Sequence, residues 1–497
     1  MIPATSTVTI DQGPLEGFVD QGVLACLGIP YAQPPLGSLR FRSPRPHPGW
    51  EKPRSAVRFA SRAVQTPLSP EARREDPGSE DCLYLNVWSP VGDGPHPVMF
   101  WVHGGAFVSG GADATDGFAL AQAGMVVVSP NYRIGPFGYL YLADLAPGIS
   151  DTNLALRDLA LALDWTVRNI TAFGGDPNRI TLAGQSSGAM TVGSLITSPL
   201  VKGKFAAAWM MSGAALQVRS KKTATESAEL FLASTGIPGA KASDLVEMPT
   251  ETLIKASEAL AQFSQTDDRL DAEIVVPVVG DDVLPVHPMS AIRLGQLTEI
   301  SLIVTWTLDD MGLFRIFDPQ SGGHNKELYA RRLIGDQKWS ELLRRYEETG
   351  SNPYVDLLTD FHFSIPARRL AEAQLDAGGN CWVGRFDRTP LTPPWPDYGP
   401  VHTCDLFYLF TPLSDPSGDL HTIGQGSGML PQDRHLGERT RQLMLDLSSG
   451  RLPSSRPDWP CYSLQDRPTL LFDDPLRVAN DPDGEHRRAW DGLLCDF

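Results

Sequence analysis

Short apolar runs bounded by turn residues alternate with longer amphipathic stretches along almost the whole chain. Residues 97–102 (PVMFWV), 124–129 (GMVVVS), 206–211 (AAAWMM), 300–306 (ISLIVTW) and 380–386 (NCWVGRF) are continuous enough to predict strands buried on both faces. Between the second and third, Leu156, Leu159, Ala160, Leu163, Val167 and Ile170 recur at helical spacing, with Asp151, Thr152 and Asn153 offering N-caps. Residues 220–272 and 325–375 read as charged, mostly helical insertions. This alternation predicts an α/β fold, a large and mostly parallel sheet with helices on both faces.

The first 60 residues open with short alternating strands and pass into a proline-rich run ending near Trp50. Proline fixes φ and removes a ladder donor, so this run is irregular chain laid over the body. Residues 66–80 are polar and turn-rich, a surface loop, and 80–88 (EDCLYLNVW) read as a strand. No repeat, low-complexity tract or linker divides the chain, so residues 1–497 are expected to form one domain.

Composition narrows the partners. No apolar run approaches the roughly 18 residues needed to span a bilayer. The opening MIPATSTVTIDQG lacks a basic segment followed by an apolar one, so a cytoplasmic location is expected. A net charge of −17 repels phosphate backbones and anionic lipid, which argues against nucleic acid as a partner. Cys26, Cys82, Cys381, Cys404, Cys461 and Cys495 show no C-x-x-C or zinc spacing and read as packing thiols, with a Cys26–Cys82 bridge left open. Cys404 lies two residues beyond a candidate histidine, where thiol modification is expected to block the site.

The stretch that carries chemistry is 179–190 (RITLAGQSSGAM), where an apolar run breaks at a glycine and restarts as small, helix-compatible residues. Gly184, Ser186 and Gly188 fit G-x-S-x-G, a sharp strand-to-helix elbow that exposes a serine hydroxyl. The flanking glycines are needed because a Cβ there would collide with neighbouring backbone. By itself the pattern is weak, arising by chance roughly one time in five in a chain this long.

Partners strengthen it. A serine hydroxyl needs a histidine to take its proton and a carboxylate to orient the imidazole, arranged in this fold in the order Ser, Asp/Glu, His. Asp310 or Asp309, at the exit of the 300–306 strand, supplies the acid. His402 follows, although His324, His362, His421, His435 and His486 satisfy the same order. Backbone N–H groups of Gly105 and Ala106, in the side-chain-poor turn after 97–102, and of Ser187 make a candidate oxyanion hole.

Together these stretches resemble the type-B carboxylesterases, the α/β-hydrolase group of p-nitrobenzyl esterases, carboxylesterases and cholinesterases. The resemblance covers nearly the whole chain through GIPYAQPPLGSLRF, EDCLYLNVWSP, FWVHGGAFVSG, NITAFGGDPNRITLAGQSSGAM, TLDDMGLF, HTCDLFYLF and RPTLLFDDP. It implies Ser186 as nucleophile, Asp310 as triad acid and His402 as general base, with Gly105, Ala106 and Ser187 as oxyanion donors. Alignment of Phe314 with the family's phenylalanine favours Asp310 over Asp309. Ser212 falls where members keep a serine near the triad carboxylate. The implied reaction is hydrolysis of a small-molecule carboxylic ester through an acyl-enzyme, with no metal or cofactor, by a monomer or homodimer. Acyl transfer or cyclisation from the same acyl-Ser186 is the alternative, and a non-catalytic adhesion-type relative is disfavoured because the serine is kept.

The departures are informative. Asp310 is one methylene shorter than the family's usual glutamate, so its loop must approach His402 more closely. Gln185 stands where glutamate is usual, removing a charge that would favour an imidazolium. Residues 63–65 lack the cysteine that normally bridges to Cys82, so the family's first disulfide is expected to be absent. The 66–80 loop lacks the tryptophan that cholinesterases use against quaternary ammonium. The phenylalanines that narrow the cholinesterase acyl pocket fall on Asp271 and Glu273, pointing to a different, wider pocket.

Overall fold

The longest apolar runs form the middle of one sheet. A computed structural model describes residues 4–65, 77–264, 275–317, 324–349, 352–392, 395–411, 429–450 and 458–493. Its strands are β1 (Ala4–Ile10), β2 (Gly13–Asp20), β3 (Val23–Pro30), β4 (Arg54–Ser55), β5 (Tyr84–Pro90), β6 (His96–Val102), β7 (Val126–Pro130), β8 (Gly175–Gln185), β9 (Ala207–Met211), β10 (Ser301–Thr307), β11 (Cys381–Phe386), β12 (Pro468–Phe472) and β13 (Arg477–Asn480). They pair in the order β1-β2-β3-β5-β7-β6-β8-β9-β10-β11-β12-β13, with β4 beside β2. From β7 to β12 every pairing is parallel, while β1, β2, β3 and β5 of the N-terminal arm and β13 pair antiparallel and the short β4 lies parallel to β2.

Continuous apolar runs in the parallel part have a simple cause: every residue of β7, β9 and β11 is buried. Successive side chains of a strand point to opposite faces. Thus Val98, Phe100 and Val102 of β6 enter one core with Leu156, Leu163, Ala189 and Leu370 from covering helices, while Met99 and Trp101 enter a second with Leu120, Phe407 and Leu443. Burial on both faces makes a strand apolar throughout.

Local expectations shift where tertiary contacts compete. The predicted 80–88 strand begins only at Tyr84, because Glu80 is held by Arg40 at 2.5 Å and the chain turns through Cys82. Asn153 stands at the N-cap of helix Leu154–Asn169 but makes no side-chain cap. Its carboxamide binds both the carbonyl and the N–H of Val278, each at 2.8 Å. The first insertion holds helices Lys221–Ser234 and Thr250–Ser264; its predicted remainder to 272, including Asp271, and the adjoining Glu273 lie outside the described residues. The second runs through His324–Ile334, Asp336–Thr349 and Pro353–Thr359, a π-helical turn at Asp360–Ser364, and Ile365–Asp376.

Cys26, Cys82, Cys381, Cys404 and Cys461 are all free thiols, so the bridge left open between Cys26 and Cys82 does not form. Cys495 and most of the 66–80 loop lie outside the described residues. Among the described residues no helix is long and apolar enough to cross a membrane.

Candidate active site

The candidate groups follow the carboxyl ends of β6, β8, β9, β10 and β11, the edge at which open α/β sheets bind ligands. At the end of β8 the chain reverses through Ser186, whose φ of 59° and ψ of −133° are strained for a residue with a Cβ. Close packing makes both flanking glycines necessary. A Cβ on Gly188 would lie 2.2 Å from the Val102 carbonyl oxygen, and one on Gly184 would lie 2.7 Å from the Gly188 carbonyl. The Ser186 N–H donates to Met211 O at 2.9 Å, tying the elbow to β9. Its hydroxyl does not cap the following helix, Ser187–Leu195.

The acid and the imidazole meet through their loops. Asp309 forms an isolated parallel bridge with Val401, its N–H donating to Pro400 O at 3.1 Å, and this draws the β10 exit against the loop bearing His402. The approach offsets the shorter aspartate: His402 Nδ1 stands 2.7 Å from Asp310 Oδ1. Asp310 is fully buried, and its other oxygen accepts from Ser212 Oγ at 3.1 Å and from the Thr307 N–H at 2.9 Å. Asp309 makes no such contact, and burial, with Asp356 and Asp310 nearby, pushes its carboxyl up to about 6.

Other histidines go elsewhere. His324 and His435 are exposed, His362 contacts Lys326, and His486 lies 3.7 Å from Asp360. His421 lies outside the described residues.

On its far side, His402 Nε2 is 3.2 Å from Gln185 Nε2. An imidazole holding its proton at Nδ1 toward Asp310 accepts at Nε2, so the Gln185 amide is the donor. Among the described residues no hydrogen bond joins Ser186 Oγ to His402. The Phe314 and Phe363 rings flank the imidazole at 5.2 and 5.0 Å.

The turn after β6 owes its shape to its carbonyls. Gly105 O accepts from the N–H groups of Val108 and Ser109 and from Ser109 Oγ, at 3.0, 2.9 and 2.9 Å. Gly104 O accepts from His103 Nδ1 at 3.0 Å. In a planar trans peptide the N–H points opposite to the C=O. Engaging these two carbonyls therefore turns the N–H groups of Gly105 and Ala106 the other way, and among the described residues neither they nor the Ser187 N–H has a backbone acceptor. A φ of 125° at Gly105 and 52° at Ala106 completes the turn.

Several contributors escape a reading of spacing. His103 is buried and stacked on Tyr132 at 4.5 Å, and burial lowers it to about 4, so it stays neutral. Asp405 is buried, and desolvation together with the charge of Asp310 raises its carboxyl to about 7. The only sequence signal for either was position inside a recognisable segment. The expectation for Cys404 needs correction: its thiol is fully buried and raised well above its ordinary value by burial, so reagents will not reach it to block the site.

A strand–serine–helix elbow, a carboxylate-held imidazole beside it and outward-facing amides define a serine hydrolase of the α/β-hydrolase fold. The carboxylesterase family model matches residues 4–490, and the chain belongs to that family. It is similar to the para-nitrobenzyl esterase of Bacillus subtilis (34% identity over 496 residues, 97% of each chain) and to the phenmedipham hydrolase of Pseudarthrobacter oxydans (34% over 498 residues, 94% of this chain and 95% of that one). A solved thermophilic PNB esterase superposes with a TM-score of 0.85 at 30% identity, over 98% of this chain and all of that one. The protein is thus a carboxylic-ester hydrolase by family.

Proposed function

We propose that the chain hydrolyses carboxylic esters through an acyl-Ser186 intermediate, with Asp310 and His402 completing the triad. The observation that carries this reading is the 2.7 Å contact of His402 Nδ1 with Asp310, made by an imidazole whose other nitrogen stands at the elbow, on Gln185. Nε2 exchanges the Gln185 amide for the neighbouring Ser186 hydroxyl, takes its proton as Oγ attacks the carbonyl carbon, and passes that proton to the leaving alcohol. The buried Asp310, fixed by Ser212 and Thr307, stabilises the imidazolium between these steps. The alkoxide is held by the N–H groups of Gly105, Ala106 and Ser187, with the positive end of helix Ser187–Leu195 behind it. Water then repeats the sequence on the acyl-enzyme.

Phe314 and Phe363 beside the imidazole favour aromatic or apolar esters. On that ground we extend to this chain the p-nitrobenzyl esters named for its Bacillus relative. One continuous sheet supports reading residues 1–497 as a single hydrolase domain, and the five cysteines among the described residues, all free thiols, favour a reducing, cytoplasmic compartment.

The test is labelling with a fluorophosphonate, location of the adduct by mass spectrometry, and a panel of p-nitrobenzyl and p-nitrophenyl esters on wild type, Ser186→Ala and His402→Ala. An adduct on Ser186 and loss of turnover in both variants are expected. An adduct elsewhere, or none, would remove the assignment.

A further inference from the structure

We propose that Gln65 is a positioning residue for the oxyanion-hole turn. This rests on the assignment of Gly105 and Ala106 just made. Gln65 is buried, at 8% exposure, on a segment far from β6 in sequence. Its carboxamide grips one residue of the turn from both sides: Oε1 accepts from the Gly110 N–H at 2.8 Å, and Nε2 donates to Gly110 O at 2.8 Å. A third bond, Nε2 to Ala63 O at 3.0 Å, anchors the amide to its own segment. Side-chain amides continue the pattern at Ala112, whose N–H donates to Asn131 Oδ1 at 2.7 Å and whose carbonyl accepts from Asn86 Nδ2 at 3.2 Å. Between β6 and the next helix the chain has left the sheet, and these amides replace the ladder.

Gly110 matters because of what it touches. It sits at φ 101°, and a Cβ built on it would lie 2.1 Å from Gly104 O and 2.7 Å from His103 Nδ1. Gly110 is therefore packed against the Gly104 carbonyl, the oxygen whose direction sets that of the Gly105 N–H across the same peptide plane. Release of Gly110 lets the Gly104–Gly105 peptide rotate, and the rotation is felt at the donor facing the developing alkoxide. A donor displaced by a fraction of an ångström loses most in the transition state, where its acceptor carries full charge.

The test compares wild type with Gln65→Leu, which removes all three bonds at similar size, and Gln65→Glu, which keeps the acceptor for the Gly110 N–H. kcat and KM for a p-nitrophenyl ester are normalised to active sites counted with fluorophosphonate. Inhibition by an aryl trifluoromethyl ketone, which presents an oxyanion as its hemiketal, is compared with that by the corresponding methyl ketone. Gln65→Leu is expected to lower kcat on the order of tenfold with KM within about twofold, to raise the trifluoromethyl ketone Ki by the same factor and to leave the methyl ketone Ki unmoved, with Gln65→Glu in between. A kcat per active site equal to wild type, or a fall in kcat without a change in trifluoromethyl ketone affinity, overturns the proposal. Should Gln65→Leu not fold, Gln65→Glu decides by the same comparison. A wild-type enzyme that binds both ketones alike instead overturns the oxyanion assignment beneath it.

Discussion

Asp405→Asn should make the protein more stable, and only at high pH. Asp405 lies in the first turn of helix Cys404–Phe410, with no exposed surface. One oxygen accepts the Leu406 N–H at 3.1 Å, while the other has no partner among the described residues. Desolvation and the neighbouring Asp310 move its carboxyl from 3.8 to about 7. Because the folded value exceeds the unfolded one, the stability this group contributes is complete below 3.8 and is lost as pH rises through about 7. At roughly 1.4 kcal/mol per tenfold change in proton affinity, the full loss above pH 7 is about 4 kcal/mol. Asparagine keeps the acceptor for Leu406 and carries no charge to desolvate. Variant and wild type should therefore differ little near pH 4 and diverge by up to about 4 kcal/mol by pH 8.5. For a chain this long that corresponds to a melting-temperature difference of about 4 °C. Thermal unfolding of both proteins at matched scan rates from pH 4 to pH 8.5 reads the difference, in which titration of groups remote from Asp405 cancels. A gap that does not grow with pH, or a variant less stable at pH 8.5, would refute the reasoning.

Three further outcomes follow from the site. Gln185→Glu replaces a neutral donor 3.2 Å from His402 Nε2 by a carboxylate that favours the imidazolium, so the acid limb of the kcat/KM profile should move to higher pH; an unmoved limb contradicts the role given to Gln185. Gly188→Ala places a Cβ 2.2 Å from Val102 O and 2.6 Å from His103 O, and should cost at least about 1–3 kcal/mol in folding stability with loss of fluorophosphonate labelling, both measurable on purified protein. Iodoacetamide should leave ester hydrolysis unchanged while alkylating the half-exposed Cys461 before the fully buried Cys404, which peptide mapping will show.

Hydrophobic periodicity in the sequence was sufficient for the α/β class, because a strand buried on both faces must be apolar at every position and a covering helix at every third or fourth. The elbow was legible for a related reason. Gly184 and Gly188 answer to contacts within one strand–turn–helix unit and its immediate neighbour, so their spacing is short and fixed. The order of acid and histidine was legible too, but spacing alone left open the choice between Asp309 and Asp310 and among the histidines, which only the resemblance to a known family made. Those partners lie 92 residues apart, and they meet because β10 and β11 are neighbours and Asp309 bridges to Val401. Asn153, a cap by local rules, was drawn to Val278 across 125 residues. No local pattern marks the roles of Gln65 and Asp405, since the grip of one on Gly110 and the burial of the other beside Asp310 are created by packing. Steric and periodic constraints act over a few residues and leave a trace in the sequence. Electrostatic environment and the aim of a peptide plane depend on which distant segments come to lie together, and only the assembled sheet decides that.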